Sequence, residues 1–157
     1  MKKTATWMAL AEACAGIVQT APMLRRALCE TAIDVQPVDG LAALLGRVLH
    51  PVWLPAAELA FIASEQFHAD ADLVDAALDD LSAITTRNLE TGGSAWTWLG
   101  HRGFHILVAH RVIHALWTKA RQAEALAVKA ALGNPAMPKA GHRFPFGYSP
   151  RPSNEVL

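Results

Sequence analysis

Apolar residues recur at helical spacing along nearly the whole chain: Trp7, Leu10, Cys14 and Ile17; then Leu41, Leu44, Leu45 and Val48; then Leu73, Ala77, Leu81 and Ile84. Steps of three and four put each set on one face of a helix, and strand-like alternation is absent. Breakers divide the pattern. Pro22 stands at a first helical position, Pro37 with Asp39 and Gly40 precedes the next run, Pro51 and Pro55 flank a short link, and Asp70 caps the helix entered through Asp72 and Leu73. Five helices of ordinary length follow from this. Residues 88–94, with Gly92-Gly93, read as a loop. The segment 95–132 then carries no proline and ends at Gly133, the residue type that helix C-termini favour.

Within that segment, 104–117 is apolar on nearly every side, Arg111 being its only formally charged side chain. A helix hydrophobic all round is expected to be buried, so 104–117 is predicted to be the central helix. Gly100 and Gly103 near its start are expected to let a neighbouring backbone approach closely. Past Gly133, five prolines (Pro135, Pro138, Pro145, Pro150 and Pro152) prevent a helix. The expectation is an all-α bundle of about six to eight helices over residues 1–133, followed by a Pro-rich extended tail over 134–157.

Composition narrows the partners. Fourteen basic and fourteen acidic residues cancel, so the dense positive field that a phosphate backbone requires is missing and nucleic acid is not expected. The high apolar content, 52%, against 18% charged residues favours a chain with a large buried surface, part of it in an interface. The apolar runs are cut by Arg25, Arg47, Glu58 and Arg111, so no membrane span is expected. Glu12 interrupts the apolar stretch after Met1-Lys2-Lys3, which argues against a secretory leader. Cys14 and Cys29 are too few for a disulfide scaffold and lack zinc-site spacing; free thiols in the cytoplasm are the simplest expectation.

The run Gly103-Phe104-His105-Ile106-Leu107-Val108-Ala109-His110-Arg111-Val112-Ile113-His114-Ala115-Leu116-Trp117 resembles the signature of the N-terminal helical domain of bacterial serine O-acetyltransferases. That signature reads Gly-Phe-His-(apolar)-x-x-x-Tyr-Arg-(apolar)-x-His-x-(apolar)-Trp. Ala21-Pro22-Met23-Leu24, the 51–56 link, Phe67-His68-Ala69-Asp70 and Thr85-Thr86-Arg87 fall in the same order and spacing, so the resemblance covers roughly residues 7–132. It implies a helical domain that mediates association of trimers and helps form the serine pocket. Acetyl-CoA binding and the catalytic His and Asp of that family belong to a following left-handed β-helix.

Two departures bear on activity. Nothing after Leu132 shows the hexapeptide period of a β-helix. The resemblance also implies an acidic residue after the Thr-Arg of the serine-contacting loop, facing the substrate ammonium, where this chain has Asn88. Exchanging the carboxylate for an amide removes an attraction of about 4 kcal/mol at ~4 Å and an effective dielectric near ~20. Glu90 compensates only if the loop bends differently. Asn88 and Glu90 are therefore the candidate substrate-contacting residues, and no catalytic residue is assigned. The expected function is a stand-alone, non-catalytic association or regulatory partner linked to serine and cysteine metabolism. Its partners would be a second copy, a full-length serine acetyltransferase or cysteine synthase, and no cofactor is expected.

A competing reading is an enzyme, either an O-acetyltransferase working by another route or a metal- or haem-dependent one. His101, His105, His110 and His114 form two i, i+4 pairs on nearly opposite faces of one helix, and each pair has the spacing of a metal chelate or a haem axial ligand. A closed site needs a third ligand and none is evident nearby; hydrogen-bonded core histidines are the plainer explanation. His105 and His114 coincide with histidines of the resembled family, whereas His101 and His110 do not. His68, Asp70 and Asp72 are explained by capping, and Asp75, Asp79 and Asp80 by a solvated face. Trp96, Trp98 and Trp117 are expected at core or interface positions. In the resembled family an acidic tail ending in isoleucine enters the active site of cysteine synthase; Asn154-Glu155-Val156-Leu157 offers a similar carboxylate and aliphatic end, with a plain tail as the simpler explanation.

Overall fold

The computed structural model describes residues 2–87 and 92–133. The predicted tail over 134–157, Asn88 and Glu90 lie outside the described residues. Among the described residues the chain forms eight α-helices and no strand. Helix α1 spans Lys2–Thr20, and after it a 3-10 turn (Pro22–Leu24), the single turn α2 (Arg25–Leu28) and a π-helical turn (Cys29–Ile33) run on without a break. Then come α3 (Pro37–Leu49), α4 (Ala56–Ala69), α5 (Ala71–Arg87), α6 (Ser94–Gly100), α7 (Arg102–Thr118) and α8 (Gln122–Gly133).

The helix starts follow the local chemistry. Pro22 and Pro37 occupy first-turn positions where a missing N–H costs nothing. The Asp70 carboxylate accepts the Asp72 N–H at 2.9 Å, capping α5 as expected. The apolar faces of α1, α3, α5 and α7 converge on one core, with Leu10, Leu41, Leu45, Leu81, Trp98, Phe104 and Leu116 fully enclosed. Cys14 lies in it; burial pushes its thiol up to about 11, so it stays protonated at neutral pH.

The segment 95–132 divides at two places without a proline, the first directly after Gly100 and the second at Ala120. At the first, His101 ends α6 and caps α7. At the second, Arg121 N–H donates to the Leu116 carbonyl (2.9 Å) and Ala120 N–H to that of Trp117 (3.1 Å), with Ala120 at φ +59°. This is the Schellman arrangement, with alanine at the left-handed position that glycine ordinarily fills.

Two expectations are corrected. Gly100 has nothing within 4 Å of its missing Cβ, and at Gly103 the nearest group is the ring of His101, not a neighbouring backbone. Close backbone approach is instead served by Gly40, where a Cβ would lie 2.3 Å from the Thr31 carbonyl oxygen and 2.6 Å from the Trp7 ring, and by Gly46, 2.4 Å from the Ala56 carbonyl oxygen. Helix α7 is also not buried all round. Phe104, Val108, Val112 and Leu116 face the core, while Leu107, His110, His114 and Trp117 are exposed.

The acidic face of α5 is partly neutralised from within the chain. Lys3 reaches Asp75 at 2.5 Å, and Arg111 of α7 holds Asp80 through Nε and Nη2 at 2.9 and 2.6 Å. The start of α8 is tied to α4 by Arg121 on Glu65 (2.7 Å) and by Lys119 on the buried Gln66 (2.8 Å).

Glycine placement gives two opposite expectations for urea denaturation. Ala120→Gly relieves a left-handed alanine and should raise stability by about 1 kcal/mol. Gly40→Ala drives a methyl into backbone and an indole and should lower it by about 1–3 kcal/mol; an unchanged midpoint in either variant contradicts the packing described.

Candidate functional site

The corner between α6 and α7 is built by two histidines. Because α6 ends at Gly100, its last carbonyls have no partner in the next turn of helix. The His105 ring supplies one: its Nε2–H donates to the Trp98 carbonyl at 2.7 Å, in a buried setting. The same orphan problem at the start of α7 is met by His101, whose Nδ1 accepts the Phe104 N–H at 3.1 Å. Gly103 leaves the room that the capping ring needs, since a Cβ there would sit 3.0 Å from it. His101 and His105 are thus occupied with backbone groups.

Trp98 anchors this corner. Its indole N–H donates to the Thr31 hydroxyl at 3.1 Å, and that hydroxyl donates onward to the Ala27 carbonyl at 2.7 Å. Trp7 meets the indole edge-on, with centroids 5.6 Å apart and planes at 75°, and Phe104 lies 5.9 Å away.

Described residues flank Asn88 and Glu90 on both sides. On one side α5 ends with Thr86 donating to the Ser82 carbonyl (2.7 Å). On the other, Gly92 and Gly93 take φ +76° and +104°, values an L side chain rarely adopts, and the Thr97 hydroxyl donates to the Gly93 carbonyl at 3.0 Å. Thr85 and Thr97 meet at 3.4 Å, tying the two flanks together. Beside these flanks runs a groove of about 400 Å³ lined, among the described residues, by the hydroxyl-bearing Thr6, Ser82, Thr85, Thr86 and Ser94 and by Ala5, Ala9 and Leu81. Among the described residues its lining carries no charged side chain.

These helices have counterparts of known identity. The family described as serine acetyltransferase, N-terminal, matches residues 6–109. The chain belongs to that family. Among curated relatives, the serine acetyltransferase of Salmonella typhimurium is 31% identical over 88 residues, 56% of this chain and 32% of that protein. That of Haemophilus influenzae is 26% identical over 121 residues, 76% of this chain and 45% of that protein. The chain therefore spans between a third and a half of the length of these relatives. Soybean serine acetyltransferase, solved in complex with serine, superposes with a TM-score of 0.79 at 26% identity, covering 85% of this chain and 56% of that one. The Vibrio cholerae enzyme shares the fold, with a TM-score of 0.77 at 24% identity over 83% of this chain and 51% of its own.

The family signature and the structure agree on the corner, because the Gly-Phe-His at its start supplies Gly103, Phe104 and His105. The four histidines do not form one site. His101 and His105 serve the α6–α7 corner, while His110 and His114 share an exposed cleft further along α7. Among the described residues no three His, Cys, Asp or Glu side chains converge. The hydroxyl-lined groove was not visible in the sequence, since it draws on α1, α5 and α6 at once; Thr85-Thr86 beside the matched Arg87 was its only local trace. Trp98 is a core residue, whereas Trp96 and Trp117 are about half exposed.

His105 makes the corner sensitive to acid. Burial lowers its proton affinity; the bond to the Trp98 carbonyl opposes this, and His101 and Arg102 add to the lowering. A group whose folded pKa is depressed leaves the unfolded chain binding more protons, so stability present above about pH 6.5 is lost as the pH falls below it. His105→Gln should therefore show a smaller drop in urea midpoint between about pH 7.5 and about pH 5.5 than the parent chain. An equal drop would remove His105 as the cause.

Proposed function

We propose that this serine acetyltransferase-related domain is a non-catalytic association module of serine and cysteine metabolism in the cytoplasm. It self-associates and engages a full-length serine acetyltransferase or cysteine synthase through exposed apolar helix faces. The supporting observation is the outer face of α7, where Leu107 and Trp117 stand 42% and 51% exposed on a helix whose opposite face is core. Large apolar side chains held on a rigid helix lose little conformational freedom on docking, and tryptophan dominates binding energy at such surfaces. Among the described residues no helix is long and apolar enough to cross a membrane, so a lipid-spanning role for this face has no support.

The non-catalytic part rests on chemistry. Asn88 cannot offer an ammonium the charge of a carboxylate, and the groove formed by α1, α5 and α6 is lined, among the described residues, by hydroxyl-bearing and apolar side chains. Transfer from acetyl-CoA needs a general base placed against the attacking hydroxyl, and none lines this groove among the described residues.

Sedimentation velocity across a dilution series should show concentration-dependent association that Trp117→Ala weakens by about tenfold or more. A thiol-release assay with acetyl-CoA and serine should give no rate above background. A monomer at every concentration would overturn the association role, and turnover of serine would overturn the non-catalytic one.

A further inference from the structure

We propose that His110 and His114 form a bidentate imidazole site for a borderline divalent cation, Cu²⁺, Ni²⁺ or Zn²⁺, on the outer face of α7. The spacing of four places both rings on the same side of the helix, one turn apart. Both side chains are exposed, and both line one cleft of about 340 Å³ with Leu73, Leu107 and Arg111. Neither ring has a hydrogen-bond or ion-pair partner among the described residues, in contrast to His101 and His105, each of which has one ring nitrogen engaged by a backbone group of the α6–α7 corner.

The positive charge that lines the same cleft is already compensated. Arg111 projects between the two histidines in sequence, but its Nε and Nη2 are held by one Asp80 oxygen at 2.9 and 2.6 Å, which draws the guanidinium toward α5. Leu73 and Leu107 wall the cleft with apolar surface. Imidazole is a ligand of Zn²⁺, Cu²⁺ and Ni²⁺, whereas Mg²⁺ and Ca²⁺ require oxygen donors, so the class of cation follows from the donor pair. Two i, i+4 histidines on one helix face are also the helical part of a well-known zinc arrangement. With no third His, Cys, Asp or Glu converging among the described residues, the remaining coordination positions fall to water and stay open to an added ligand.

The test is titration of the whole chain with CuSO₄, NiCl₂ and ZnCl₂, followed by calorimetry, with electron paramagnetic resonance of the copper form. One saturable site with nitrogen couplings from two imidazoles is expected, strongest for Cu²⁺. His110→Ala and His114→Ala should each weaken it at least as much as the roughly tenfold that loss of an outer-sphere partner costs. His68→Ala, which removes a histidine paired with Asp39 at 3.3 Å elsewhere, should leave it unchanged. Because both ligands are exposed, circular dichroism of the variants should keep the parent helical signal. Equal affinity in the double variant His110→Ala/His114→Ala, equal binding of MgCl₂, or loss of the site in His68→Ala would each overturn the assignment.

Discussion

The burial of Trp98 is the constraint around which the rest of the bundle is arranged. An indole can be taken out of water only if its N–H finds an acceptor. That acceptor is the Thr31 hydroxyl, itself passed on to the Ala27 carbonyl. Thr31 sits in the π-helical turn, its carbonyl pressed so near to α3 that only glycine fits at position 40. Trp7 closes the far side of the ring, and Phe104 the near side. Removing a buried tryptophan costs about 3–5 kcal/mol, a large share of the ~5–15 kcal/mol that holds an ordinary domain together. The main-chain carbonyl of the same residue is satisfied by His105, so Trp98 is tied at both ends.

That tie explains how one short helix can set the direction of the next. Helix α6 has seven residues and would not persist alone in water. It is held by a side chain from the following helix reaching back to its end, while His101 serves the start of that helix. The chain therefore turns sharply at position 101 without a proline, and α7 leaves the corner with one side against the core and the other outward. Its outward side carries the exposed Leu107 and Trp117 together with His110 and His114.

Much of this was legible in the residues themselves. Periods of three and four located α1, α3 and α5, Pro37 marked the start of α3, and Asp70 capped α5 as its side chain suggested. Other features depend on what lies across the fold. An all-round apolar helix has the same pattern whether its far side meets its own chain or another, so the exposure of Leu107 and Trp117 could not be read from 104–117. The break at Ala120 was hidden because alanine is a strong helix former and reached a left-handed backbone here through the hydrogen bonds of its neighbours. The two histidine pairs look equivalent in sequence; the Trp98 carbonyl and the Phe104 N–H at the α6–α7 corner separate the engaged pair from the other. Of the candidate substrate loop, the flanking threonines and glycines are described, and Asn88 and Glu90 are not.

The contact between Thr31 and Trp98 joins residues 67 positions apart. Such a closure forms late, because the loop entropy must be overcome before the bond can repay it. While the chain is being synthesised, α1 emerges long before the indole that will cover Trp7, and its apolar side must wait in contact with water or a chaperone. The bundle is in this sense locked from its second half, and a ribosome stalled before α6 would carry four ordinary helices with no keystone between them.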